Sequence, residues 1–420
     1  MNVKKALGIT VALAASVAAL SVSQVGAQQK AQLEFVTTSL QPFADYFNPL
    51  VDRYNASNPT QNLKWTDLPQ AAIQQKVLTG IASGNSPDAV QMNNSQILEL
   101  AQQGALQPLN NLLDKKTFDL YQKSALDAFT FEGKIYGLPD YASPRIVLFN
   151  TDLLKKAGLN PDALPRTQGE IINWARQIRE KTGAFGFSPL IDSANILKVF
   201  QEEGLPVLSA DRKRAVFNSP AHVALLQRYV NLRKADVFPE DTMKGIGAAF
   251  NLYTAGKLGI CVVGVTFIPR LEKDANAIYK TTVVGPSPIA AGQVVQASTF
   301  AYAVPTGTKD PKASAALAAW LTNDANQLAF AKRAGTIFPS TVRASRDPYF
   351  QSGKNSSNLA DVGRYVGSLT MRNAKELTPI IPNAATLNKA VKDNVEAAIF
   401  GQKSAKEALD AMVAVWNANL

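Results

Sequence analysis

Short apolar runs alternate with stretches of helical spacing along most of this chain. Leu33 to Val36 reads as a strand closed by Thr37-Thr38-Ser39, after which Phe43, Phe47, Leu50 and Tyr54 fall on one helical face. Pro49 lies inside that spacing, so the helix is expected to break or to begin near it. A strand over Leu63 to Thr66 precedes a helix carrying Ile73, Val77 and Ile81, which Gly84 ends. Beyond the turn Ser86-Pro87-Asp88 comes a strand from Ala89 to Met92. A helix with Ile97, Leu98 and Ala101 follows, for which Asn94 or Ser95 supplies a cap.

The alternation returns further on. Thr167 and Glu170 form a capping box before Ile171, Trp174 and Ile178, and Gly183 closes that helix. Phe185 to Ile191, Lys257 to Gly264, Val283-Val284 and Ala301 to Val304 read as strands. Asp310 and Pro311 start one late helix in cap and first-turn positions, and Ser404 with Glu407 boxes another. Strands and helices in this order predict an α/β fold built on open, mostly parallel sheets. Between Gly133 and Leu159 the pattern is denser. Ile135-Tyr136 reads as a strand, Pro139 and Pro144 bracket a polar crossing, and Arg145 to Asn150 reads as a second strand leading into a helix at Asp152. A strand pair joined by a stiffened turn is the expectation.

Composition changes the picture at the N-terminus. Lys4 and Lys5, the apolar run Ala6 to Val22 and the small residues Val25-Gly26-Ala27 make residues 1–27 a secretory leader cleaved after Ala27. No cysteine follows the run, so no lipid-bearing N-terminus is expected, and the mature protein should be soluble and exported. About 390 residues then remain, too many for one core and suited to two lobes. Cys261, the only cysteine, sits in an apolar run and fits a small buried hydrophobe better than a nucleophile. The formal charge of +10 is scattered, its densest cluster being Asp211-Arg212-Lys213-Arg214. A solvated surface is the reading, and no nucleic-acid partner is expected.

Catalytic signatures are missing. His222 is the only histidine, which excludes a His/Cys zinc cluster, and no nucleophile elbow or P-loop stands anywhere. Gly245-Ile246-Gly247 lacks the third glycine of a dinucleotide fingerprint. No metal, cofactor or catalytic residue is expected. A glycoside hydrolase with carboxylates distant in the chain stays open as the enzyme alternative.

Five segments are similar to those of the extracellular solute-binding proteins that serve ABC importers, in the carbohydrate-type branch. They are Gly133 to Leu159; Ile81 to Val90 with Ala101 to Leu109; Pro165 to Gly186; Gly256 to Gly264; and Val304 to Leu321 with Gly335 to Ser340. Each is loose alone, and their order and spacing carry the resemblance. It implies a two-lobe periplasmic-binding-protein fold (type II-like), each lobe an open sheet flanked by helices. Lobe I would be 28–140 and 300–338, lobe II 144–298 and 340–420, with hinges near 138–145, 297–302 and 336–342. It also implies a monomer that captures a mono- or oligosaccharide by hinge closure and passes it to permease subunits with a separate ATPase. An anionic or phosphorylated solute is the alternative within the family.

Loops at the carboxyl ends of parallel strands face such a crevice. They nominate Thr38, Ser39, Gln70, Asn93 and Asn94 from the first lobe, although the two asparagines would serve equally as helix caps. Asp192, Gly264 and Thr266 follow strands of the second. Tyr141, Phe300 and Phe338 sit at the crossovers and offer either a stacking face or hinge packing. Arg145 stands among them, either free for a solute or, the favoured reading, paired with Asp140.

Overall fold

The structure is a computed structural model describing residues 30–288, 293–381 and 383–420. The expected leader, 1–27, lies outside the described residues. Twelve strands are described: β1 (Ala31–Thr38), β2 (Gln61–Leu68), β3 (Ala89–Asn93), β4 (Thr130–Phe131), β5 (Lys134–Ile135), β6 (Leu138–Asn150), β7 (Phe185–Ser188), β8 (Leu258–Gly264), β9 (Thr282–Pro286), β10 (Val295–Ala303), β11 (Phe338–Pro339) and β12 (Ala374–Lys375). Ten of them join one sheet whose main path runs β2-β1-β3-β10-β6-β8-β7. The β1–β2, β1–β3 and β7–β8 pairs are parallel, and β6 and β10 run against their neighbours β3, β8 and β9. No described helix is long and apolar enough to cross a membrane.

Two long strands hold the sheet's halves together. The first part of β6 pairs with β10, from Leu138 opposite Tyr302 to Pro144 opposite Ala297. Its second part pairs with β8 and β9, from Arg145 opposite Gly264 to Asn150 opposite Thr282. The crossing between Gly133 and Leu159 is therefore one extended strand and not the expected strand–turn–strand. Its prolines explain why both readings fit the sequence. Proline lacks an N–H and is tolerated where a ladder is interrupted. Pro139 lies beside the register shift between Phe300 and Ala301, and Pro144 lies where β10 hands over to β8. The real turn comes earlier, where β4 and β5 form a hairpin through Glu132 and Gly133, both at positive φ (50° and 74°), as a tight two-residue hairpin requires.

Other local expectations are adjusted in detail. The helix Ala44–Ser57 runs through Pro49 without a break, burying Phe47, Leu50 and Tyr54. Asn93, not Asn94 or Ser95, caps the helix Asn94–Gln102, in a capping box with Gln96. The Thr167/Glu170 and Ser404/Glu407 boxes form as read. Thr341 bridges to Tyr121, and Val342 donates to the Leu120 carbonyl, so the chain stays beside the first half for a few residues past β11.

The apolar core follows the halves. One cluster fills the second half around Phe149, Phe200, Phe217, Tyr229 and Trp416. Another covers one face of the first half around Phe35, Phe47 and Tyr302 and continues along β6 to Val263 and Val265. A third lies on the opposite face around Val36, Met92, Ile97 and Phe129.

Candidate functional site

Because β1, β2 and β3 are parallel, their carboxyl ends emerge together. Thr38 is fixed there: its Oγ1 donates to the Gln91 carbonyl at 2.9 Å and its N–H to Gln91 Oε1 at 3.3 Å. Ser39 follows at φ 55°, exposed, with its N–H donated to the Leu68 carbonyl. Gln70 is exposed at the start of the helix Gln70–Ser83, and its carbonyl accepts from Gln96 Nε2 at 3.1 Å. Asn93 spends its side chain on the cap, accepting from the Gln96 N–H at 2.9 Å. Asn94 is different. It is buried, donates Nδ2 to the Ala128 carbonyl, and leaves its Oδ1 without a partner.

The second half brings up Asp192, Gly264 and Thr266. Asp192 accepts from Asn195 Nδ2 at 3.2 Å, and burial raises its pKa above the ordinary carboxylate value. Gly264 ends β8 directly opposite Arg145, and Thr266 is exposed just beyond. Arg145 does not pair with Asp140. Successive residues of an extended strand point to opposite faces, and the guanidinium meets Glu202 at 3.4 Å on the helix Asn195–Glu202, both side chains mostly buried. Asp140 instead accepts from Gln91 Nε2 at 2.6 Å, and burial raises its pKa to about 7.

At the crossovers, Tyr141 stacks on Phe300 with ring centroids 5.0 Å apart and also meets the edge of Phe330. Tyr141 is buried, and Phe300 keeps more of its surface open. Phe338 packs into the core against Phe350 at 5.4 Å and crowds Gly367. Of the nominated residues, Arg145 and Gly264 adjoin across one ladder and Tyr141 and Phe300 across another, whereas Phe338 belongs to the interior.

A cavity of about 530 Å³ opens between the halves, lined among others by Asn94, Asp127, Gln201, Arg212, Glu376 and Thr378. Asn94 alone of the nominated residues lines it. Behind it runs a polar chain that sequence reading missed. Glu202 Oε1 accepts the Gln296 N–H at 2.9 Å, Gln296 Nε2 donates to Glu376 Oε1 at 2.9 Å, and Gln296 Oε1 accepts the Leu377 N–H at 2.8 Å. Lys198 stands 4.0 Å from Glu376, and burial lowers its pKa. Gln296 offered one signal, an amide inside an apolar strand. Glu376 offered none, since its setting is made by residues far off in the chain. His222 and Cys261 take structural roles: the imidazole lies between Ser219 Oγ and the Pro206 carbonyl, and burial pushes the Cys261 thiol up.

A family model for bacterial extracellular solute-binding protein matches residues 37–328. A binding protein of Brucella abortus is 31% identical over 119 residues, covering 28% of this chain and 29% of that one. The mannitol-binding protein of Pseudomonas aeruginosa is 25% identical over 388 residues, covering 85% of this chain and 86% of that one. The match thus spans less than a third of the first relative and most of the second. Among solved structures, a periplasmic-binding protein from Synechococcus sp. MITs9220 superposes with a TM-score of 0.82 at 28% identity, covering 92% of this chain and 98% of that one. Each is a protein this chain resembles in sequence or in fold.

Proposed function

The chain belongs to the bacterial extracellular solute-binding proteins, and from that premise we propose that it captures a neutral carbohydrate or polyol between its two lobes. It holds the solute by hinge closure at the crossovers near 138–145, 297–302 and 336–342, and hands it to a membrane permease without chemical turnover. The lobes of this reading are 28–140 with 300–338 and 144–298 with 340–420. The protein is exported by removal of its leader near Ala27 and works as a monomer. The likeness to a mannitol-binding protein over most of both chains supports a polyhydroxylated solute.

The observation that carries the choice of a neutral solute is the pairing of Arg145 with Glu202. The guanidinium at the crossover is already compensated, and at the cavity Arg212 and Lys375 share the wall with Glu376, whose carboxylate opposes an anion and is suited to hydroxyls. Thermal denaturation with mannitol, maltose, lactose, glycerol 3-phosphate and glucuronate tests the reading. A neutral solute at a thousandfold excess over its dissociation constant should stabilise the protein by about 4 kcal/mol. Stabilisation by the phosphate or the uronate alone, or hydrolysis of a glycoside, overturns it.

A further inference from the structure

Glu376 is placed unlike any other carboxylate among the described residues. Its side chain is 6% exposed, yet the residue lines the cavity between the halves. The two carboxylate oxygens are used unequally. Oε1 accepts from Gln296 Nε2 at 2.9 Å, the Thr378 N–H at 3.1 Å and Thr378 Oγ1 at 2.7 Å. Oε2 meets only the Thr299 N–H and Oγ1, both at 3.4 Å. Hydrogen bonds to a carboxylate normally close to between about 2.5 and 2.9 Å, so these contacts leave most of the acceptor capacity of Oε2 unspent.

An independent observation comes from the opposite wall. Asn94 lines the same cavity from the other half, buried, and its Oδ1 has no partner. The largely unspent Oε2 beside the cavity calls for a solute that donates, and the Asn94 Oδ1 enclosed behind the facing wall offers an anion no donor. Either hydroxyls or an ammonium group would serve. Charge decides between them: Lys123, Arg212 and Lys375 line this cavity too, and only Lys123 has an acidic partner, Asp127. A cationic solute is repelled there and a neutral polyol is not.

We propose that Glu376 is the specificity-determining acceptor of the cleft, its Oε2 taking hydrogen bonds from neighbouring hydroxyls of the solute. This rests on the carbohydrate reading above and goes beyond it by naming the group that selects for hydroxyls. The remaining donors on Oε1 hold the carboxylate in position, so its orientation is built before the solute arrives.

Calorimetric titration of wild type and Glu376→Gln with glucose, maltose, cellobiose, glucitol and spermidine tests this. The substitution should weaken the bound saccharide at least tenfold, as expected for a hydrogen bond to a charged group. Deoxy derivatives of that saccharide then separate contact from structure. Removing the hydroxyl that meets Oε2 should weaken wild type tenfold or more and Glu376→Gln less than threefold, because the acceptor is already gone. Unchanged affinity of Glu376→Gln overturns the proposal, as do equal deoxy penalties in both proteins or tighter binding of spermidine than of any saccharide. If wild type binds none of the saccharides, the carbohydrate reading and this inference fall together. If wild type binds and only the variant behaves unexpectedly, the inference alone falls.

Discussion

Asp140 is a carboxylate whose environment opposes its ordinary chemistry. It sits buried on β6 beside the register shift, with one hydrogen bond to its carboxyl, from Gln91, and no ion pair among the described residues. Its charge acts on Tyr46, Tyr121, Tyr141 and Tyr302, and loss of hydration raises its pKa from 3.8 to about 7. The folded protein therefore keeps a proton that the unfolded chain gives up above pH 4. Stability from this group is greatest below pH 4, declines as pH rises towards 7, and stays at its lowest beyond. Asp140→Asn removes that titration while its Oδ1 still accepts from Gln91. The variant should be more stable than wild type at pH 8 by on the order of 2–4 kcal/mol, with the gap closing towards pH 4. Urea denaturation at pH 4.5 and pH 8 measures this, and a variant no more stable at pH 8 would show that the carboxylate is hydrated or compensated in solution.

Elements whose cause is local were legible in the sequence. The Thr167/Glu170 and Ser404/Glu407 boxes depend on a few residues of spacing, and β1 to β3 with their helices follow from periodicity alone. The continuity of β6 was not legible, because it depends on which strands lie alongside: Pro139 and Pro144 are tolerated only where β10 shifts register or gives way. Arg145 went to Glu202 for a similar reason, since an extended strand points neighbours apart and the helix that brings Glu202 is 57 residues on. Of the site, the strand-end positions could be listed, but Gln296 and Glu376 meet across 80 residues and left no joint pattern. Close packing makes a testable case of β7. A Cβ on Gly186 would lie 1.9 Å from the Ala175 carbonyl oxygen, so β7 must part from the helix Gln168–Thr182. Gly186→Ala should cost about 3 kcal/mol or more in chemical denaturation. Gly133→Ala, which meets open space at φ 74°, should cost only about 1–2 kcal/mol. Equal losses would place backbone conformation above packing.

At the scale of the molecule, two halves share β6 and β10 and also touch directly elsewhere. One such contact is explicit: Gln102 Nε2, on the helix Asn94–Gln102, donates to the Ile381 carbonyl at 2.9 Å, just ahead of the helix Ala384–Ile399. The segment that supplies this carbonyl also carries Glu376, and Arg212 Nη2 reaches the Ile380 carbonyl at 3.0 Å from the second half. The same backbone stretch is thus tied to both sides of the cavity. If capture works by the proposed closure, the Gln102 bond stabilises the closed arrangement and contributes nothing once the halves separate. A neutral hydrogen bond of this kind is worth about 0.5–1.5 kcal/mol. Gln102→Ala should therefore weaken solute binding about two- to twelvefold, since a ligand that selects the closed state loses affinity as that state becomes rarer. The loss should appear without a change in the denaturation midpoint of the ligand-free protein, because Gln102 is only partly buried and its bond is already lost whenever the halves stand apart. Small-angle scattering of the ligand-free variant should show a radius of gyration equal to or larger than wild type, with both contracting at saturating solute. Unaltered affinity in Gln102→Ala would assign this bond to a contact that persists in both arrangements, and would move the moving boundary of the molecule away from the helix Asn94–Gln102.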